Sequence, residues 1–97
     1  MDPASRARGA STVSRSHDAL WRAGDFGVVV LAADADEPVI LEGTGAAVWN
    51  ALASPCTADA LVSELAQRFG VADRARVEHD VLPYVAELEH LGVVEVA

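Results

Sequence analysis

PVILEGTGAAVWNALA, residues 38–53, is the stretch whose reading decides the fold. Val39-Ile40-Leu41 is a short apolar run bounded by Pro38 and by Glu42-Gly43-Thr44-Gly45, which reads as a strand feeding a turn. Ala46, Ala47, Val48, Trp49, Ala51 and Leu52 then follow as an apolar helix. Val48 and Leu52 are four apart with Trp49 beside them, so the bulk gathers on one helical face. Trp49 is the largest apolar side chain of this stretch and the expected centre of the core. A strand that runs straight into a core helix sets where every later helix must pack.

Upstream of this stretch, Ala19-Leu20-Trp21-Arg22-Ala23 reads as a short strand and Gly24-Asp25 as a turn. Phe26-Gly27-Val28-Val29-Val30-Leu31-Ala32 is the strongest strand signal, because β-branched residues suit a pleated surface. Residues 33–37 form an acidic connection, and Pro38 opens the next strand where a missing N–H does least harm. These three runs predict a three-stranded antiparallel meander. A sheet that small needs helices over one face. Residues 1–16, MDPASRARGASTVSRS, are small and polar apart from Val13, and read as a flexible N-terminal tail ahead of a folded domain at 17–97.

Downstream, Ser54-Pro55 ends the first helix, since the residue before a proline avoids the helical region. Thr57 is placed to cap a second helix. Leu61, Leu65 and Phe69 recur four apart within it, and Gly70 stops it. Asp73 is placed to cap a third helix carrying Val77, Val81, Tyr84, Val85, Leu88 and Leu91, with Gly92 after it. Pro83 falls inside that helix and cannot donate to the His79 carbonyl, which calls for a kink or a split there. Val93–Val96 reads as a final short strand or an extended tail.

Composition narrows the function. Ninety-seven residues make one domain, and the 52% hydrophobic content supports a packed globule. No apolar run approaches the ~20 residues of a membrane span, and no secretory signal is read at the N-terminus. Cys56 is the single cysteine, which excludes an internal disulfide. These features together read as cytoplasmic. The formal charge is −8, with no lysine. Residues 1–17 hold three arginines and one acid, a balance of +2, whereas the remainder holds four arginines and fourteen acids, a balance of −10. A domain so acidic repels a phosphate backbone.

Nothing in the sequence assembles a catalytic centre. His17, His79 and His90 are too scattered for a metal set, and no cysteine partner exists for them. Cys56 lacks the local signature of a catalytic thiol. Gly43-Thr44-Gly45 is not followed by the Gly-Lys-Ser/Thr of a phosphate loop. The carboxylates of the later helices read as solvated surface. The chain is therefore read as non-enzymatic, with no cofactor and no metal.

The order of motifs resembles one family. Leu41, then Gly45-Ala46-Ala47-Val48-Trp49, Thr57, Leu61, Leu65, Asp80-Val81-Leu82, Val85, Leu88 and Gly92 stand where the PqqD family, or RiPP recognition elements, places a strand end, a G-A-x-I-W helix, a Thr-capped helix and a D-V-L helix. The resemblance covers residues 18–96. Glu42 departs from the family's usual Asn, and Pro83 departs within the third helix.

The resemblance implies an α+β, winged-helix-like fold, with a three-stranded antiparallel sheet packed against three helices. It implies a peptide chaperone of natural-product biosynthesis, which binds the leader of a ribosomally made precursor by strand addition and presents it to a maturation enzyme such as a radical-SAM enzyme or a leader peptidase. Lasso-peptide and quinone-cofactor pathways use such domains. In the family the leader lies beside the third strand in a groove shared with the third helix, so the expected peptide-binding residues are Val39, Ile40, Leu41, Glu78, Leu82, Val85 and Glu89. Leu82, off the core stripe by about 100° from Val81, either contacts another helix or walls that groove. Two other readings stay open. Exposed β edges would permit a structural or homodimerisation module. A winged-helix nucleic-acid binder is opposed by the charge. Neither a nucleic acid nor a membrane is expected as a partner.

Overall fold

The computed structural model describes residues 10–97. In chain order the elements are β1 (Thr12–Arg15), β2 (Leu20–Gly24), β3 (Gly27–Leu31), β4 (Val39–Leu41), α1 (Thr44–Ala51), β5 (Cys56–Thr57), α2 (Ala58–Phe69), α3 (Arg74–His90) and β6 (Val94–Val96). Among the described residues they form a mixed α+β fold of three helices and two antiparallel sheets, ordered β5-β1-β6 and β2-β3-β4.

The expected meander is the second of these sheets. Val28 and Val30 turn inward and are buried, as is Leu41 of β4, which pairs with Val28. Alternation along the strands leaves Val29 and Ile40, which pair with each other, on the outer face. Gly27 closes the tight β2–β3 turn opposite Gly24 with φ of 140°. A Cβ there would collide with the Leu41 carbonyl, so only glycine lets β4 close up against β3 at this point. α1 lies over the inner face against β3 and β4, and its Val48 and Trp49 are fully buried in the core.

The other sheet corrects the expectation for the N-terminus. Residues 12–15 are not tail but the central strand β1, pairing Val13 with Cys56 of β5 and with Val96 of β6. Val13 is fully buried, and Val94 and Val96 of β6 are buried beside it. The reason is that β1 is supplied on both sides with backbone partners that lie more than forty residues away in sequence. The one aliphatic in a polar stretch therefore reaches the core. Residues 1–9 of the expected tail lie outside the described residues. One sheet was expected, and two are present because β1 and β6 pair instead of trailing.

The helices follow their caps. The Thr57 hydroxyl accepts from the Ala60 N–H at 3.1 Å and the Asp73 carboxylate from the Arg76 N–H at 3.3 Å. α2 buries Leu61, Val62 and Leu65, and α3 buries Val77, Val81, Val85 and Leu88. α3 passes Pro83 as one helix from Arg74 to His90 and is not split. Among the described residues no helix is long and apolar enough to cross a membrane.

Candidate functional site

The feature left open by this packing is the edge of β4. The strand pairs with β3 on one side, and no other strand of the described residues pairs with it. Its Leu41 carbonyl is turned toward β3, since it lies where a Gly27 Cβ would be. In an antiparallel pair the residues whose backbone groups face the partner alternate. The N–H and C=O of Ile40 therefore point to the free edge. The Ile40 side chain is 60% exposed on the outer face of the sheet. Such an edge is a template for another strand.

α3 forms the second boundary. The Tyr84 hydroxyl lies against the α1 backbone at Gly45 and beside the Leu41 side chain, and a Cβ on Gly45 would overlap it. At the other end of the helix, Gly92 lies over Ala32, where β3 passes into the β3–β4 connection. The helix thus runs alongside β4 from its Leu41 end toward its Pro38 end. Strand and helix are not packed on each other along that length, and Tyr84 closes the gap at one end. Tyr84 is half-buried, and burial, followed by the nearby Glu87 carboxylate, pushes its phenol pKa upward.

Tyr84 fixes which flank of α3 faces the strand. Successive residues turn by about 100°, so Leu82 lies about 160° round the helix from Tyr84 and on the other flank. That flank faces α2. Glu78 there pairs with Arg74 at 3.2 Å, and Arg74 pairs in turn with Asp59 of α2 at 3.0 Å. Leu82 lines a shallow surface groove with Ala75, Glu78, His79 and Pro83, and Glu89 shares its helical phase. Val85 is fully buried in the core.

The structure therefore brings together Val39, Ile40 and Leu41 as expected on one strand, with Leu41 turned inward. Glu78 and Leu82 line the shallow surface groove with Ala75, His79 and Pro83, Val85 is buried in the core that also holds Leu41, and Glu89 shares the helical phase of Leu82. The helical period reveals the core stripe but not which of its two flanks a strand will meet. Asp80 and Glu87 of α3 and its C-cap residue Leu91 share the flank of Tyr84 by helical phase, the four residues being spaced four, three and four apart. That stripe is present in the sequence, but choosing it needs the helix's direction across the sheet.

The rest of the chemistry is sparse. Cys56 is partly buried, and burial, with Glu64 adding to it, pushes its thiol pKa up, so it is held away from the thiolate a nucleophile needs. Among the described residues no three His, Cys, Asp or Glu side chains gather as a metal set.

Fold and edge together define a small α+β domain with an open strand edge beside its last helix. The sequence of residues 27–94 matches the PqqD family, coenzyme PQQ synthesis protein D, and the chain belongs to that family. Its fold is similar to the solution NMR structure of the PqqD truncation of Methylobacterium extorquens PqqCD, described as a functional and stand-alone RiPP recognition element. That similarity has a TM-score of 0.74 and 25% identity, and it covers 98% of this chain and 99% of the other. No curated protein matches the sequence.

Proposed function

We propose that this chain is a non-catalytic recognition element that binds the leader of a ribosomally synthesised precursor peptide by strand addition at β4. It would hold the leader for a maturation enzyme such as a radical-SAM enzyme or a leader peptidase. The observation that carries the reading is the free edge of β4, with the Ile40 backbone groups turned outward beside α3, in a member of the PqqD family. Strand addition takes affinity from backbone hydrogen bonds and selectivity from the side chains that flank the new strand. The edge presents the Ile40 N–H and C=O, the Pro38 C=O and the Glu42 N–H by the same alternation. The Glu42 carbonyl is already held by the Gly45 N–H at 2.9 Å.

The test is an NMR titration of isotope-labelled protein with the leader of the precursor encoded beside this gene. Amide shifts gathered in residues 37–45 and 80–91 are the expected result. Shifts confined to α2, or no binding at high micromolar peptide, would overturn the reading.

A further inference from the structure

The stripe of α3 that borders β4 is half carboxylate. Asp80 and Glu87 alternate along it with Tyr84 and Leu91, and both acids are exposed. No arginine pairs with either carboxylate among the described residues. Arg76 lies on the same flank of α3, one turn before Asp80, whereas the other arginines of the described residues are committed elsewhere or lie away from the gap. Arg15 is held by Trp49, Arg74 by Asp59 and Glu78, and Arg22 sits on β2, two strands from the open edge. Past the end of α3, Leu91 lines a cleft with Ala32, Ala33, Ala35 and the carboxylate-bearing Asp34 of the β3–β4 connection, and with Asp18 and Glu95. An incoming strand thus meets apolar surface at Tyr84 and Leu91, and negative charge between and beyond them that only Arg76, at the Asp80 end, offsets.

We infer that the peptide taken up beside β4 is cationic, with lysine or arginine side chains set against Asp80 and Glu87 and an aliphatic residue seated on Leu91. This deepens the strand-addition reading and rests on it. The long stems of lysine and arginine suit such a wall, since the methylenes lie along Tyr84 and Leu91 while the charged head reaches a carboxylate. Complementary charge around an apolar contact selects the partner and speeds encounter more than it adds raw affinity. A neutral or acidic strand would place no charge opposite Asp80 and Glu87, and an acidic one would be repelled.

The probe is a randomised peptide library displayed on phage, panned against the full chain at physiological ionic strength. The wild-type protein should enrich peptides with lysine or arginine beside an aliphatic residue. The double variant Asp80→Asn, Glu87→Gln should lose that basic enrichment several-fold, while Glu64→Gln, an exposed acid on α2, should keep it. Circular dichroism on each variant confirms that the comparison is between folded proteins. Enrichment of neutral or acidic peptides overturns the inference, and so does basic enrichment that survives the double variant or falls equally with Glu64→Gln. The underlying reading is scored separately with Ile40→Pro. Selected peptides that bind this variant undiminished overturn strand addition itself, and a library that yields no binder overturns both.

Discussion

Arg15 donates from Nε and Nη2 to the main-chain carbonyl of Trp49, at 3.0 and 2.7 Å. Its guanidinium also lies 4.7 Å from the Trp49 ring centroid and 4.8 Å from that of Trp21, while the two indoles meet edge-on at 5.8 Å. The last turn of α1 has carbonyls without helical partners, and a cation at that end complements the helix dipole. Burial pulls the Arg15 pKa down from its ordinary value, yet an arginine keeps its charge throughout the physiological range. The strand β1 is thereby fastened to the centre of the core by one side chain. Arg15→Ala should cost about 1–3 kcal/mol, from the two hydrogen bonds and the stacked cation. Thermal melting checks it, and a variant that melts with the parent would show the contact to be idle.

Removing residues 1–15 should destabilise the domain far more than removing a tail would. The deletion takes Val13 from the core, leaves β5 and β6 without their shared partner and releases Arg15 from Trp49. A fall of roughly 10 °C or more in Tm is expected for a domain of this size. Deletion of residues 1–9 is the comparison to run beside it, since the pairing of Thr12 through Arg15 then survives intact.

Trp49 is fully buried, and its Nε1 has no hydrogen-bond partner among the described residues. Trp49→Ala should cost about 3–5 kcal/mol, a large share of what holds a small domain together. Trp49→Phe should cost less than ring volume alone suggests, because it also removes a desolvated donor. Urea unfolding of the two variants measures both, and equal losses would show that the orphan N–H carries no penalty.

The core was legible in the sequence and the edges of the fold were not. Trp49, Leu61, Leu65, Val81 and Leu88 announce themselves by bulk and by helical spacing, and the caps at Thr57 and Asp73 by residue type. β1 was hidden because Val13 is a lone aliphatic, and its two partners are brought to it only by the tertiary fold. The flank of α3 that meets β4 was hidden for a related reason. Leu82 and Tyr84 look equally apolar in sequence, and only the contact of Tyr84 with Gly45 and Leu41 distinguishes them. Pro83 suggested a kink or a split, and the seventeen-residue helix is not split but continues through the one missing hydrogen bond.

Alkaline pH should weaken the fold through two groups. Burial raises the pKa of the Cys56 thiol and of the Tyr84 phenol, helped by Glu64 and Glu87 respectively. The folded state therefore holds both protons more tightly than the unfolded state does. The resulting stability is complete below the ordinary thiol and phenol ranges and is lost as pH climbs through the raised values. Unfolding free energies measured across that alkaline span should fall less steeply for Cys56→Ala and for Tyr84→Phe than for the parent. Parallel slopes would show that neither group titrates differently on folding.

The two flanks of α3 make opposite predictions for peptide binding. Tyr84 stands at the mouth of the gap beside β4, whereas Leu82 lies on the side of α3 turned to α2. Tyr84→Ala should weaken leader binding by about 1–2 kcal/mol, as truncation of an interface aromatic does. Leu82→Ala should leave the affinity within a factor of about two, a few tenths of a kcal/mol. Ile40→Pro removes the outward N–H of the open edge and should weaken binding more than Leu82→Ala does. Because Tyr84 also packs in the fold, Gly45→Ala serves as its second variant. A Cβ there overlaps the hydroxyl and displaces the phenol from its seat without truncating the side chain. Calorimetric titration with the leader used for NMR measures all four. Loss of binding in Leu82→Ala with none in Tyr84→Ala and Gly45→Ala would put the groove on the other side of the helix.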